Sequence, residues 1–392
     1  GAYLDLYGQL SSVIPRDRLI HDEVRRLAYG TDASFYRLIP QLVVKVENEA
    51  EAAAVIERCR AAGLPLVFRA AGTSLSGQAV TDSVLMQIAG TWSGIHVEEG
   101  AGRVTLAPAV IGARANRALA PYGRKIGPDP ASVNSAMVGG IAANNASGMC
   151  CGTAQNSYRT LDSMRVMLAD GAVLDTSSAA SRAAFREERP ELVAQIAELA
   201  ARTRANSALA ERIRRKYAMK NTTGYSLNAL VDFEDPLEII QHLMIGSEGT
   251  LGFISSITYR TVPDPPAKAT ALMCFPDVRT ACAATTLLRR SGVMSAVEIM
   301  DRASLRSVEE KSGMPGFLKG LPEDVAALLM EVRAETGAEL RERIHTAIEA
   351  LGDLPIVEQA PFTEDAAEAA RLWNVRKGLF PSVGSVREIS TT

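Results

Sequence analysis

Residues 68–79, FRAAGTSLSGQA, place two glycines, three hydroxyls (Thr73, Ser74 and Ser76) and Arg69 at the end of an apolar stretch. Glycine lets a backbone approach a phosphate closely, and successive N–H groups form a nest for anionic oxygens. Gly72 and Gly77 carry the G-x-x-x-x-G spacing of a phosphate loop, but Gln78-Ala79 stand where that motif needs Lys and then Ser or Thr. The nucleotide-hydrolase reading fails there. No G-x-G-x-x-G follows a strand in this region either. On these residues alone an ordinary polar turn would serve as well.

A second segment narrows the choice. Residues 127–148, GPDPASVNSAMVGGIAANNASG, are dense in Gly, Asn, Ser and Ala. Small residues allow close approach along an extended ligand, Asn and Ser offer donors and acceptors, and two such segments within ~80 residues suit a large, flat dinucleotide. A third segment, MIGSEGTLGFIS at 244–255, passes from helix to strand through Gly246, Gly249 and Gly252. By itself it reads as a capped helix end.

These segments need a frame. LVVKV (42–46), a Gly- and Pro-free helix over 49–62 ended by Gly63, and LPLVF (64–68) make a strand–helix–strand unit that runs into the first segment. VLMQI, GIHVEE and RVTLAP between 83 and 109 read as short strands, the last two joined at Gly100-Ala101-Gly102. Residues 113–123 read as a short helix, and 161–176 as a hairpin turned by Asp170-Gly171. Residues 178–216, rich in Ala, Glu and Arg, predict two or three helices. Strand character returns at 251–262, and PDPPAK (263–268) marks a domain boundary. Beyond it the reading is strand (271–275), helix (279–290), strand (295–300), helix (325–332), helix (336–350) and strand LPIVE (354–358), an α+β second domain.

Length suits two or three domains for 392 residues. Forty-two basic against forty-five acidic residues, and 5% aromatics, argue against a nucleic-acid partner. The five cysteines include adjacent Cys150-Cys151 but no C-x-x-C, so reduced, mostly buried thiols are expected. His21, His242 and His345 sit in helical text and His96 in a strand, none with ligand spacing, so no metal site is expected. No apolar run is long enough to span a membrane, and no signal peptide is visible. The start at Gly1 and the stop at Thr392 read as a piece of a longer protein.

Taken together, the three segments resemble the FAD-linked oxidase family that shares the vanillyl-alcohol-oxidase type FAD domain. RAAGTSLSGQ, GGIAANNASG and GSEGTLGFIS occur in the family's order, and the likeness runs from Tyr29 to the end. KIGPDPAS, ANNASGMCCGTAQN and KNTTGYSLNALVDF look like the respiratory D-lactate dehydrogenases, in which an iron–sulfur part follows the flavin part. WNVRKGLFPSVGSVRE (373–388) resembles the opening of their substrate-domain active site.

The resemblance implies an α+β chain with a two-subdomain FAD-binding domain of the vanillyl-alcohol-oxidase (PCMH) type over 1–262, including a helical insertion at 178–216. An incomplete α+β substrate (cap) domain would occupy 263–392. It implies that Arg69, Ala71, Gly72, Thr73, Ser74, Gly77 and Gln78 wrap the FAD pyrophosphate. Pro128, Ser132, Gly139, Gly140, Asn144, Ser147 and Gly148 would line the cofactor, with Glu248, Gly249 and Ile254 on the adenosine side. The first loop has no histidine, so FAD is expected to be noncovalent. Arg376, in a Trp-x-x-Arg pattern, would pair with the substrate carboxylate through its planar fork.

The implied activity is FAD-dependent oxidation of D-lactate to pyruvate, with electrons passed to an iron–sulfur domain, a quinone or a cytochrome. Alternatives are another 2-hydroxy acid (glycolate or D-2-hydroxyglutarate) or a non-catalytic FAD-binding relay subunit. The family's metal-binding histidines and iron–sulfur cysteines would lie past Thr392, which puts turnover by this chain alone in doubt. A cytoplasmic location is expected, or a peripheral one at the inner membrane through the electron acceptor.

Overall fold

The computed structural model describes residues 1–148 and 150–386, with side chains described through Leu379. The chain divides into two compact units, Gly1–Pro263 and Asp264–Thr392.

The first unit opens with a four-stranded sheet of β1 (Leu19–Ile20), β2 (Leu42–Val46), β3 (Leu66–Arg69) and β4 (Val84–Ile88). The order is β1-β2-β4-β3, with β2, β4 and β3 parallel and β1 an antiparallel edge. Parallel strands need a crossover, and helix Glu49–Ala62 supplies it. The Asn48 side chain caps its start by accepting the Glu51 N–H, and Gly63 ends it at φ 64°. Ala52, Val55, Ile56 and Cys59 recur at helical spacing and bury that face against β2 and β4. Each fully buried Val or Ile contributes about 1.5–3 kcal/mol.

A second, antiparallel sheet is built from β5 (Ile95–Val97), β6 (Arg103–Leu106), β8 (Leu161–Met167), β9 (Val173–Asp175) and β10 (Phe253–Arg260), in the order β5-β6-β10-β8-β9. A separate ribbon joins β7 (Arg124–Lys125) to β11 (Val262–Pro263). Asp170-Gly171 turns the β8–β9 hairpin, with Gly171 at φ 87°. Helices Ala179–Glu188, Pro190–Ala205 and Pro236–Met244 bring Phe185, Ala200, Leu237 and Ile240 to the core of this sheet, and helix Ser207–Tyr217 follows the second of them.

The two sheets are locked together by polar and aromatic contacts. Glu49 at the start of the crossover helix accepts two bonds from Arg165 on β8, at 2.7 and 2.8 Å. It also takes the Ser255 hydroxyl of β10 at 2.6 Å. Phe253 lies between Phe68 and Trp92, with ring centroids 5.2 and 5.8 Å away.

In the second unit, β12 (Ala267–Phe275), β13 (Ala296–Met300), β14 (Ala326–Ala334) and β15 (Glu358–Thr363) form an antiparallel sheet, ordered β13-β14-β12-β15. Helices Val278–Ser291 and Gly337–Leu351 cover one face. Helix Ala366–Val386 covers part of the other through Leu372 and Val375.

Three sequence expectations are corrected here. Residues 325–332 are not a helix: from Ala326 onward they belong to β14. Both faces of that central strand are buried, with Ala326, Leu328 and Met330 on one side and Ala327 and Leu329 on the other. A strand covered on both faces shows no alternation, and packing overrides the helix preference of Leu and Met. LPIVE is not a strand either. β15 starts only at Glu358, while Ile356 and Val357 are exposed and Pro355 has no N–H to give a ladder. His21 lies outside any helix, edge-on to Tyr7 with centroids 4.4 Å apart. Among the described residues no helix is long and apolar enough to cross a membrane.

Candidate functional site

The first glycine loop leaves the end of β3. Gly72 and Gly77 adopt φ of 72° and 79°, a region where a side chain is strained. They are also closely covered. A Cβ on Gly72 would lie 2.5 Å from the Arg69 guanidinium, and one on Gly77 would lie 2.7 Å from the Tyr36 ring. Arg69 Nη1 donates to the Thr31 carbonyl at 2.8 Å, and the Ala33 N–H donates to Gly72 O at 3.0 Å. The segment around Thr31–Ala33 therefore straps the loop, and Arg69 braces it from within. Ser74 Oγ bonds Gln78 Oε1 across the turn. Among the described residues, the N–H groups of Ala71, Gly72, Thr73 and Ser74 meet no protein acceptor. Consecutive free amides of this kind suit an anionic oxygen.

The second segment is pinned by one carboxylate. Asp129 Oδ1 accepts the N–H groups of Gly148 at 3.0 Å and Cys151 at 3.2 Å, and Oδ2 accepts that of Cys150 at 3.1 Å. Gly148 is needed for that closure, since a Cβ there would lie 1.9 Å from the Asp129 carbonyl oxygen. Pro128 is buried beside it, and the Ser132 carbonyl accepts the Ala136 N–H at 2.7 Å. Gly139 and Gly140 open the short helix Val138–Asn144. A Cβ on Gly139 would meet Pro108 at 3.0 Å, and one on Gly140 would meet the Ala70 Cβ at 3.2 Å. Gly140 thus brings the second segment against the first. The Lys220 ammonium donates to the Ser147 carbonyl at 2.6 Å.

The third segment joins both. Glu248 Oε1 accepts from Asn144 Nδ2 at 2.5 Å and from Gln78 Nε2 at 3.4 Å, so one residue of each segment meets there. Glu248 holds φ 55°, which costs an L-residue roughly 1–2 kcal/mol, and its N–H is tied to the Ala143 carbonyl at 2.9 Å. Burial pushes its carboxyl above the usual range, partly offset by the Asn144 amide. Gly249, at φ 75°, lies against Phe68, where a Cβ would sit 2.9 Å from the ring. Ile254 is buried in β10, paired with Val166, and faces the core rather than the loops.

In the second unit, β14 presents Leu329, Glu331 and Arg333 to one face, and β13 adds Glu298 opposite Leu329. Arg376 reaches this face from helix Ala366–Val386 and donates through Nε to Glu298 Oε2. One turn earlier, Trp373 Nε1 donates to Glu331 Oε2 at 3.1 Å. Arg333 bonds Glu331 at 2.5 Å and approaches Asp264 at 3.5 Å, while Lys268 pairs with Asp264 at 2.9 Å. Residues past Val386 in the 373–388 segment lie outside the described residues, as does Met149 of the second segment. Among the described residues no group of three His, Cys, Asp or Glu is placed to hold a metal ion.

Sequence reasoning missed Asp129, Lys220, Glu298 and Glu331. Asp129 lay inside a quoted motif, and its position two residues after Gly127 was the available signal. The others act across long sequence separations, which leave no local pattern.

Two family models match the chain: an FAD binding domain over residues 40–177 and the C-terminal domain of FAD linked oxidases over residues 264–391. Glycolate oxidase subunit GlcD of Escherichia coli is 26% identical over 381 residues, covering 95% of this chain and 64% of its own length. The mitochondrial cytochrome-linked D-lactate dehydrogenase of Arabidopsis thaliana is 25% identical, covering 95% of this chain and 56% of its own. D-2-hydroxyglutarate dehydrogenase of Pseudomonas putida is 24% identical, with 95% and 38% covered. The chain thus spans under two thirds of the length of these relatives. In fold it is similar to p-cresol methylhydroxylase, at TM-score 0.67 and 12% identity over 97% of this chain and 72% of the other. An alkyldihydroxyacetonephosphate synthase gives TM-score 0.66 at 14% identity, covering 97% of this chain and 64% of the other. With the two domain models in order along it, this chain belongs to the FAD-linked oxidase family.

Proposed function

We propose that this chain is the flavin-bearing part of a dehydrogenase that oxidises a short D-2-hydroxy monocarboxylate, D-lactate to pyruvate. The observation that carries the reading is Arg376, whose Nε is occupied by Glu298 while its Nη1 and Nη2 have no bonded acceptor among the described residues. That free fork matches a carboxylate. The three relatives are named for glycolate, D-lactate and D-2-hydroxyglutarate, which share a hydroxyl next to a carboxylate. Arg333 and Lys268 on the same sheet are already paired with Glu331 and Asp264. Arg376 is thus the guanidinium fork left unspent among those of this sheet face in the described residues, which favours a monocarboxylate over hydroxyglutarate with its two carboxylates. Glycolate belongs to the favoured class.

The cofactor fits the first unit on its own geometry. The free amides of Ala71 to Ser74 would hold the pyrophosphate, and the side-chain-free surfaces of Gly139, Gly140 and Gly148 would let the rest lie against backbone. Gln78, Asn144 and Glu248 would bind polar groups of the adenosine side from one hydrogen-bonded cluster. When bound, FAD supplies a two-electron acceptor for the hydride leaving the substrate's Cα. Arg376 fixes the carboxylate and thereby the orientation of that carbon, while Trp373 and Glu331 hold its helix. Electrons would leave for an iron–sulfur domain, a quinone or a cytochrome.

The test is dye-coupled turnover of D-lactate, glycolate, L-lactate and D-2-hydroxyglutarate by the longest native form of the protein. D-lactate and glycolate should lead, and Arg376→Ala should cut kcat/KM by about a hundredfold or more, as loss of a charge-assisted pair predicts. Preference for hydroxyglutarate, or an Arg376→Ala enzyme with unchanged kcat/KM, would defeat the reading.

A further inference from the structure

We propose that Glu298 is a positioning residue for Arg376, taking the Nε edge of the guanidinium so that the Nη1/Nη2 fork is left aimed for a substrate carboxylate. This rests on the carboxylate-binding reading of Arg376 and adds the group that makes the arginine competent.

The geometry assigns distinct edges. A guanidinium has five donors on a rigid plane, and its Nε edge and its Nη1/Nη2 end can each serve a separate carboxylate. Glu298 uses Nε alone. Its position is set by the sheet: Glu298 pairs with Leu329 in the β13–β14 ladder, and Leu329 packs with Leu372 and Val375 of the arginine's own helix. Leu372 and Val375 are 2% and 0% exposed, so the helix cannot roll without opening that core. Trp373, hydrogen-bonded to the 7%-exposed Glu331 side chain, fixes the same helix one turn earlier. The backbone of Arg376 is thus held by packing, and its long side chain by Glu298.

Arg376 is 32% exposed and Glu298 22% exposed, so the pair is reachable by a small solute and only partly screened by water. An arginine without such a partner would sample many rotamers and lose that freedom on binding. Glu298 removes the freedom beforehand. Its charge also balances the arginine, so the fork binds by geometry as well as by charge. The chemistry it selects is a planar carboxylate presented end-on.

The experiment is calorimetric titration of oxalate into the FAD-loaded chain and its variants, with a thermal melt on each. Oxalate is a redox-inert two-carbon dianion, short enough for one of its carboxylates to enter the fork while the other stands where the substrate's hydroxyl carbon would. Glu298→Ala should weaken oxalate about tenfold, the loss expected if the fork must be ordered at binding. Glu298→Gln keeps an acceptor for Nε and should stay within about threefold of the parent. The Glu298→Ala effect should vanish in an Arg376→Ala background, as coupling through one group requires. Unchanged or tighter oxalate binding by Glu298→Ala overturns the proposal, as does a Glu298→Ala loss that persists without Arg376. If Arg376→Ala itself leaves oxalate binding intact, the clamp is wrong and the positioning role falls with it. A loss in Arg376→Ala with none in Glu298→Ala sinks the positioning role alone.

Discussion

Replacing Asp129 by alanine should unfasten the second segment. Its two carboxylate oxygens accept three backbone N–H groups, from Gly148, Cys150 and Cys151, at 3.0, 3.1 and 3.2 Å. A hydrogen bond to a charged acceptor contributes about 1.5–3 kcal/mol, and partial exposure of these groups argues for the lower end. Water would replace some of the lost bonds, so the total loss should be about 2–4 kcal/mol rather than three full increments. For a unit of this size each kcal/mol moves Tm by about 2–4 °C, which places the expected drop for Asp129→Ala at about 4–16 °C. Asp129→Asn keeps the Oδ1 position but turns the other atom into a donor facing the Cys150 N–H. It should lose roughly half as much. Calorimetry of the cofactor-free chain gives the stability, and FAD titration gives the affinity, which should fall in the same order. An Asp129→Ala chain with parental Tm and parental FAD affinity would refute the idea that one carboxylate organises this segment.

Glu248→Gln should change the pH dependence of the cofactor-free chain. Burial raises the Glu248 carboxyl above its ordinary value, so its neutral form favours folding. That contribution is full below the ordinary carboxylate range and is lost as pH rises through the raised value. The glutamine variant should therefore match the parent in acid and exceed it increasingly toward neutral pH, read as a Tm difference; a constant difference would contradict the assignment. Gly249→Ala meets both a φ of 75° and the Phe68 ring at 2.9 Å, so it should cost about 2–4 kcal/mol by denaturant melts. A cost below about 0.5 kcal/mol, the range of a neutral surface change, would show that the close packing there is not rigid.

Local rules were legible where the chain supplied its own signals. Asn48 and Gly63 bracket helix Glu49–Ala62, and Asp170-Gly171 marks the β8–β9 hairpin, because caps and turns act over a few residues. The central strand β14 was not legible: a short apolar run buried on both sides has neither the helical nor the alternating period. The glycine segments announced a ligand by composition, but their joining through Glu248, Gln78 and Asn144 depends on pairings 170 and 104 residues apart. Likewise nothing near Arg376 in sequence points to Glu298, 78 residues away across a sheet.

The amides of Ala71 to Ser74 and the glycines facing them are proposed to hold FAD. The most direct measurement is the visible absorbance of the chain after incubation with FAD and gel filtration, for the parent and for Gly72→Val. The valine would need φ near 72° and would press its Cβ on the Arg69 guanidinium, closing the nest. Flavin bands should co-elute with the parent at about one FAD per chain and be lost from the variant while its melt remains cooperative. Equal flavin retention by a folded Gly72→Val chain would contradict that proposal.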